Sequence, residues 1–336
     1  MWINSGTISD LGYRRVDHGQ TCFHSRGMEA IVAFLDVLGF SEYVTTDIAA
    51  ASELLGAHTT TLIRLEDQLH HPPEKYSDPG SRELAHRHAV DSFLHFLPMS
   101  DSIVIVGNNP ELFVEQLSTF LVDAFMLQGH AFAHPDEPAT PTAQNMKTFS
   151  PSGVSEAKAN WFPALWRGGV SFGKVEVATL PMIRDHWPKC AAVAFGSAVV
   201  EAVGLEKSGK GPRLFCSPVV AEHAHGNAKP LLVPCNESHR AEILWPLSVF
   251  TPTNDPEVEK TEFLDLFLSA RALWLSKIGT KVEQHYWEFI RLICRSAFHW
   301  ASHVNAPPTV VEYISTKIKE HILPEYSSKL LADKLR

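Results

Sequence analysis

Phe34-Leu-Asp36-Val-Leu-Gly39-Phe40-Ser41 and, further along, Met99-Ser-Asp101-Ser-Ile-Val-Ile-Val106 are the two stretches that decide how this chain folds. The first closes the run Glu29–Asp36, EAIVAFLD, whose apolar residues fall on both faces. It reads as a buried strand ending in a carboxylate. Val37-Leu-Gly39 then turns the chain, and Ser41 is placed to cap a helix running to about Leu65. The second stretch belongs to a pair of short apolar runs, Asp91–Leu97 and Asp101–Val106, around Pro98-Met-Ser100. The spacing predicts a β-hairpin with Asp101 at its turn. In a β-α-β-β arrangement the first strand lies beside such a hairpin, so Asp36 and Asp101 project from one edge of the sheet.

Working outward, residues 66–90 are polar, with paired prolines and a Pro-Gly, and read as an exposed excursion. Pro110 opens a stretch with helical spacing to Met126, at the first-turn position where proline is tolerated. Residues 129–160, rich in Pro, Ser, Thr and Ala, mark a second insertion. Arg167-Gly-Gly-Val-Ser-Phe-Gly173-Lys-Val is a glycine-bearing, bent strand, Gly196 to Glu206 a helix, and Pro212–Ser217 a closing strand. From Pro256 the pattern changes to amphipathic helices over 262–277, 282–303 and 309–321, rich in aromatic residues. The expected division is a leader at 1–28, a β-α-β-β-α-β domain at 29–235 carrying both inserts, and a helical extension at 256–336.

Composition bounds what such a chain does. Its 336 residues are 45% hydrophobic and 20% charged, enough to bury a core. The net charge of −9 argues against a broad nucleic-acid surface but not against a nucleotide held through cations. Five scattered cysteines without a CxxC pair suggest neither a zinc ribbon nor a disulfide framework. The polar start MWINSGTISDLGYRR lacks a signal peptide's apolar core, and no run approaches the ~20 apolar residues of a membrane span. A soluble, cytoplasmic protein is the expectation.

Two convergent carboxylates without a cationic neighbour in sequence repel each other unless a cation lies between them. Oxygen-only ligands favour Mg²⁺ or Mn²⁺. Two such ions bind a triphosphate, lower the pKa of an attacking hydroxyl and stabilise a leaving pyrophosphate.

Four blocks in order resemble the catalytic domain of class III nucleotidyl cyclases. The family's F-x-D-x-x-G-F strand matches Phe34, Asp36, Gly39 and Phe40, and its hairpin aspartate matches Asp101. Its Arg-x-Gly strand is similar to Arg167–Gly173, and its Gly-x-x-V-N-x-A-x-R-L-E helix is met in part by Gly196, Val199, Ala202, Leu205 and Glu206. The resemblance covers about residues 30–217. It implies an α+β, ferredoxin-like core in which Asp36, Asp101 and the backbone carbonyl of Val37 hold two metal ions. It also implies a head-to-tail homodimer with active sites at the interface and attack of a ribose 3′-hydroxyl on the α-phosphate. The products are a 3′,5′-cyclic nucleotide and pyrophosphate.

The departures narrow the branch. Adenine-reading positions hold apolar Leu97 and Val193, and the family's ribose Asn and transition-state Arg fall on Val200 and Gly204. A similarly degenerate helix, a short FLD-x-LGFS strand and a helical C-terminal extension occur in the pyrimidine cyclases of the bacterial Pycsar antiphage system. That resemblance implies UTP, less readily CTP, as substrate and a cyclic product that activates a separate effector in antiviral defence. Candidate substrate-binding residues are Phe40, Arg167 and Lys207, with Lys174 and Arg184 as further cations for the phosphates. Two alternatives stand beside this reading: an inactive cyclase-like nucleotide sensor or dimerisation module, and an adenylate cyclase. The eighteen histidines lack zinc-site spacing, and Ser208-Gly-Lys-Gly-Pro-Arg213 lacks the phosphate-loop pattern and reads as a basic turn.

Overall fold

The structure is a computed structural model. It describes residues 27–61, 73–129, 142–150, 153–161, 165–184, 187–235, 240–250 and 256–332, apart from 53, 57, 60 and 76. Strand β1 (Met28–Val37) is followed by helix α1 (Phe40–Thr46), helix α2 (Pro79–Arg87), the hairpin β2 (Phe93–Met99) and β3 (Ser102–Gly107), and helix α3 (Pro110–Gly129). Next come β4 (Thr142–Ser150), β5 (Gly153–Trp161), β6 (Trp166–Arg184), β7 (Trp187–Phe195), α4 (Ser197–Glu206), β8 (Leu214–Cys216) and α5 (Pro218–His223). Strands β9 (Leu232–Pro234) and β10 (Ala241–Ile243) precede α6 (Pro256–Leu275), α7 (Glu283–His303), α8 (Pro308–His321) and α9 (Pro324–Ala332).

The main sheet runs β2-β3-β1-β6-β8-β10-β9, with β7 paired to β6. β1 lies antiparallel to both β3 and β6, and β2 antiparallel to β3. Thus β1 and β2 run the same way with β3 between them, and β3 and β6 run the same way with β1 between them. Two interleaved split β-α-β units are the ferredoxin-like α+β core that the sequence predicts. β8 then adds parallel to β6, and β10 and β9 extend the edge.

Alternation along β1 divides the interior in two. Ile31, Ala33 and Leu35 face one cluster with Phe113 and Leu117 of α3, and with Phe267, Phe289 and Ile290 of the C-terminal helices. Ala30 and Val32 face a smaller cluster closed by Ala198 and Ala202 of α4. The aromatic C-terminal helices therefore pack into the sheet's own core, where Trp245 stacks on Phe289 with centroids 5.4 Å apart. Two glycines allow close approach on β6: a Cβ on Gly169 would meet the Ala202 carbonyl oxygen of α4 at 2.0 Å, and one on Gly168 the Phe34 carbonyl oxygen of β1 at 2.3 Å.

Some sequence expectations change in detail. Gly39, at φ 82°, occupies the N-cap of α1, and Ser41 lies inside the first turn. The helix predicted to Leu65 breaks at Asp47, whose Oδ1 accepts the amides of Ala49 and Ala50, each at 3.1 Å, and starts a second helical segment. The excursion at 66–90 contains α2, and β4 and β5, in and just past the second insertion, form a separate two-stranded ribbon. β6 continues well beyond Val175 into a hairpin with β7.

Candidate active site

Asp36 stands at the end of β1 between two neighbours fixed by strand register: Ser102 on β3 and Arg167 on β6. Its Oδ1 accepts a hydrogen bond from Ser102 Oγ at 2.9 Å. Its Oδ2 accepts from Arg167 Nη2 at 3.2 Å and Nε at 3.3 Å. The same Arg167 Nε pairs with Glu206 Oε1 at the end of α4. Burial pushes the Glu206 carboxyl up, Arg167 draws it down, and the nearby Asp36 charge adds to the rise.

Asp101 is brought alongside by the backbone. Ser100, at φ 59°, makes the tight turn, and the Val37 amide donates to the Asp101 carbonyl at 2.9 Å. The half-buried Asp101 side chain makes no hydrogen bond or ion pair among the described residues. Asp36, Val37, Asp101 and Arg167 thus share one sheet edge.

The other sequence candidates are placed differently. Lys207 follows Glu206 at the exposed C-cap of α4 and interacts with it electrostatically. Phe40, a substrate-binding candidate from the sequence, is half-buried and packs against the main core. Lys174 pairs in register with Glu29, seven residues along β1 from Asp36, or roughly 23 Å at a strand's rise. Arg184 is farther still along β6, opposite Trp187. Leu97 is buried, while Val200 is 73% exposed on the outer side of α4, where Gly204 faces open space.

One neighbour escaped the sequence reading. His58, on the helical segment after Asp47, is 1% exposed, and neither ring nitrogen has a hydrogen-bond partner among the described residues. Burial pushes its imidazole down, against the upward pull of the Asp101 charge. A lone histidine among alanines, leucines and threonines gives no sign that it folds beside an aspartate from another element.

A third charged group braces the site from behind. The Arg213 carbonyl accepts the Gly168 amide at 3.1 Å, and its guanidinium grips Glu242 through Nε at 2.5 Å and Nη2 at 2.7 Å. Arg295 of α7 donates to the same carboxylate at 2.9 Å, tying the C-terminal helices to the sheet. Cys216 is buried beside them, and burial pushes its thiol up to about 12, an inert thiol as the sequence suggested.

Hard carboxylate donors suit Mg²⁺ or Mn²⁺, and Asp36 and Asp101 provide two at one edge. Among the described residues no group of three or more His, Cys, Asp or Glu side chains is gathered as a metal cage. The donor set fits ions that take their remaining ligands from backbone, water and a bound phosphate. One point revises the sequence argument: Asp36 already has a cationic partner, since β6 brings Arg167 to it.

No known protein family matches the sequence, and no curated protein does. Among solved structures, the chain is similar to the guanylyl cyclase Cya2 at 12% identity, over 65% of this chain and 91% of that one, with a TM-score of 0.36. The adenylyl cyclase CyaB from P. aeruginosa gives 12% identity, 66% and 93% coverage and a TM-score of 0.36. A bacterial light-regulated adenylyl cyclase gives 13% identity, 66% and 52% coverage and a TM-score of 0.37. Likeness at this level leaves the activity of this chain to be argued from its own residues. No helix among the described residues is long and apolar enough to cross a membrane.

Proposed function

We propose that this protein is a class III-type nucleotidyl cyclase that converts a pyrimidine triphosphate, UTP in preference to CTP, to its 3′,5′-cyclic monophosphate and pyrophosphate. The observation that carries the reading is the pairing of Val37 with Asp101, which sets the hairpin aspartate beside the strand-end Asp36. Bound at Asp36, Asp101 and the Val37 carbonyl, Mg²⁺ or Mn²⁺ would supply positive charge for the triphosphate and acidify the attacking hydroxyl. In the reaction a bond forms between the ribose O3′ and the α-phosphorus, the bond from that phosphorus to the bridging oxygen breaks, and the hydroxyl proton passes to water.

Arg167, hydrogen-bonded to Asp36, takes the role of neutralising phosphoryl charge, with Lys207 at the C-cap of α4 as a second cation. Phe40 supports the turn that carries Val37, packing against the core beneath it. Apolar Leu97, Val193 and Val200 stand where adenine- and ribose-reading groups are expected, which favours a pyrimidine over ATP. The active assembly is a head-to-tail homodimer, and exposed Val200 on α4 and Met99 beside the hairpin turn are suited to apolar contact with a second copy. The cyclic product serves as a second messenger that switches on a separate effector in antiphage defence. The test is metal-dependent pyrophosphate release by the purified protein, set against Asp36→Ala and Asp101→Ala.

A second reading has one observation in its favour. Arg167 gives Asp36 a cationic partner without metal, as a nucleotide-holding module without turnover would need. Pyrophosphate release separates the two.

A further inference from the structure

We propose that Glu206 is a positioning residue that takes over Arg167 when a divalent cation takes Asp36, so that arginine and metal occupy Asp36 by turns. This deepens the cyclase reading and rests on it.

One guanidinium serves two carboxylates of unequal burial. The Glu206 side chain is 5% exposed and the Asp36 side chain 21%. A carboxylate as buried as Glu206 cannot give up the cation it is paired with without a large desolvation cost, whereas Asp36 can exchange one cation for another. The contacts agree: Arg167 Nε is nearer Glu206 Oε1 than Asp36 Oδ2, to which it lies at 3.3 Å. Arginine's rigid fork of five N–H donors lets it keep one carboxylate while releasing the other.

The backbone favours a small movement. Arg167 is fixed in register opposite Asp36, and Gly168 and Gly169 after it pack against β1 and α4 with no room for a side chain. Only the guanidinium has freedom to shift, and Glu206 determines where it goes. With Asp36 given to the metal, Arg167 stays at the edge of the site as a cation for phosphate. Without Glu206, the whole fork would close on Asp36 and compete with the metal.

The test is Mn²⁺ binding to the full-length protein without nucleotide, followed by electron paramagnetic resonance, in a double-mutant cycle. Wild type should bind Mn²⁺, and Asp36→Ala should lose that binding. Glu206→Gln should weaken Mn²⁺ affinity about tenfold, and Arg167→Gln should strengthen it. In the Arg167→Gln background, Glu206→Gln should change affinity by less than about twofold, because the competitor is gone.

An equal loss in both backgrounds would mean that Glu206 acts on the metal directly through its charge, and would overturn this proposal alone. No loss in either background would also overturn it alone. Absence of any Asp36-dependent Mn²⁺ binding in wild type would overturn the cyclase reading and this proposal with it. If Glu206→Gln melts early, Glu206→Asp keeps the charge at shorter reach. Its weakening should be smaller and should again vanish with Arg167→Gln; persistence there would overturn the proposal.

Discussion

The main-chain amide of Val37 donates to the carbonyl of Asp101 across 2.9 Å. That bond pins a hairpin turn to the end of the central strand, so the placement of the two aspartates belongs to the backbone. Replacing either side chain should therefore leave the sheet edge standing.

Asp36→Ala and Asp101→Ala are expected to lower turnover by orders of magnitude, as loss of a metal-binding carboxylate does. Asp101→Ala should leave the thermal melt within a few degrees, since its side chain has no ion pair or hydrogen bond among the described residues. Asp36→Ala removes the Ser102 and Arg167 contacts, but Arg167 retains Glu206, so its fold should also survive. Circular dichroism melts beside a pyrophosphate assay check both. A variant keeping wild-type turnover would end the metal assignment.

Gly169→Ala should be severely destabilising. Its Cβ would sit 2.0 Å from the Ala202 carbonyl oxygen and 2.6 Å from Leu205 Cβ, neither of which can give way without moving α4 off the sheet. A loss of about 3 kcal/mol follows from overpacking of this kind. Gly204→Ala, in the same helix but facing open space, should instead gain roughly 0.5–1 kcal/mol in dilute protein. Denaturant midpoints of the two variants should move in opposite directions.

The Glu242 cluster makes stability depend on pH in a defined direction. Burial pushes the Glu242 carboxyl up, but the Arg213 hydrogen bond and the charges of Arg295 and Arg213 outweigh it, and the net shift is downward. The unfolded chain then binds more protons than the native one between the two values, so stability falls as the medium is acidified. Its contribution should be complete above about pH 4.3 and drain away as pH drops from there through the lower native value. Glu242→Gln should cost about 3 kcal/mol at neutral pH, by leaving two arginines without their carboxylate, and should flatten the acid limb of the melt-versus-pH curve. An unchanged acid limb would remove Glu242 as its source.

Val200→Glu should weaken self-association. The side chain is 73% exposed, so the change costs a single chain little, but it would place a charge in an apolar contact between copies. Sedimentation at micromolar protein should show wild-type dimer and mutant monomer, with turnover lost alongside. A monomeric wild type that turns over would exclude the shared-site dimer.

The parts of this fold that depend on neighbouring residues in sequence were readable from it. β1 and the β2–β3 hairpin announce themselves by apolar runs around Asp36 and Asp101, and α4 by the spacing from Gly196 to Glu206. What local pattern cannot carry is pairing at long range. Arg167 and Asp36 are 131 positions apart, and no charge count near either one shows that β6 lies beside β1. The repulsion argued for the two aspartates was therefore incomplete. The Glu242 cluster joins three distant segments in the same way. Elsewhere a single side chain overrode the periodicity, as when Asp47 broke a helix whose apolar spacing continued through it. The ribbons β4–β5 and β6–β7 carry the Pro, Ser and Thr of loop sequence, and cross-strand pairing rather than composition holds them extended.

The reaction is read from its products. Purified protein should be incubated with ATP, GTP, CTP and UTP together and Mn²⁺, and the products identified by mass spectrometry. Cyclic UMP is the expected product, or failing that cyclic CMP, with pyrophosphate in equal amount and neither formed by Asp36→Ala. Cyclic AMP or cyclic GMP as the dominant product would contradict the pyrimidine assignment. No cyclic product from folded, dimeric, Mn²⁺-loaded protein would contradict the cyclase itself.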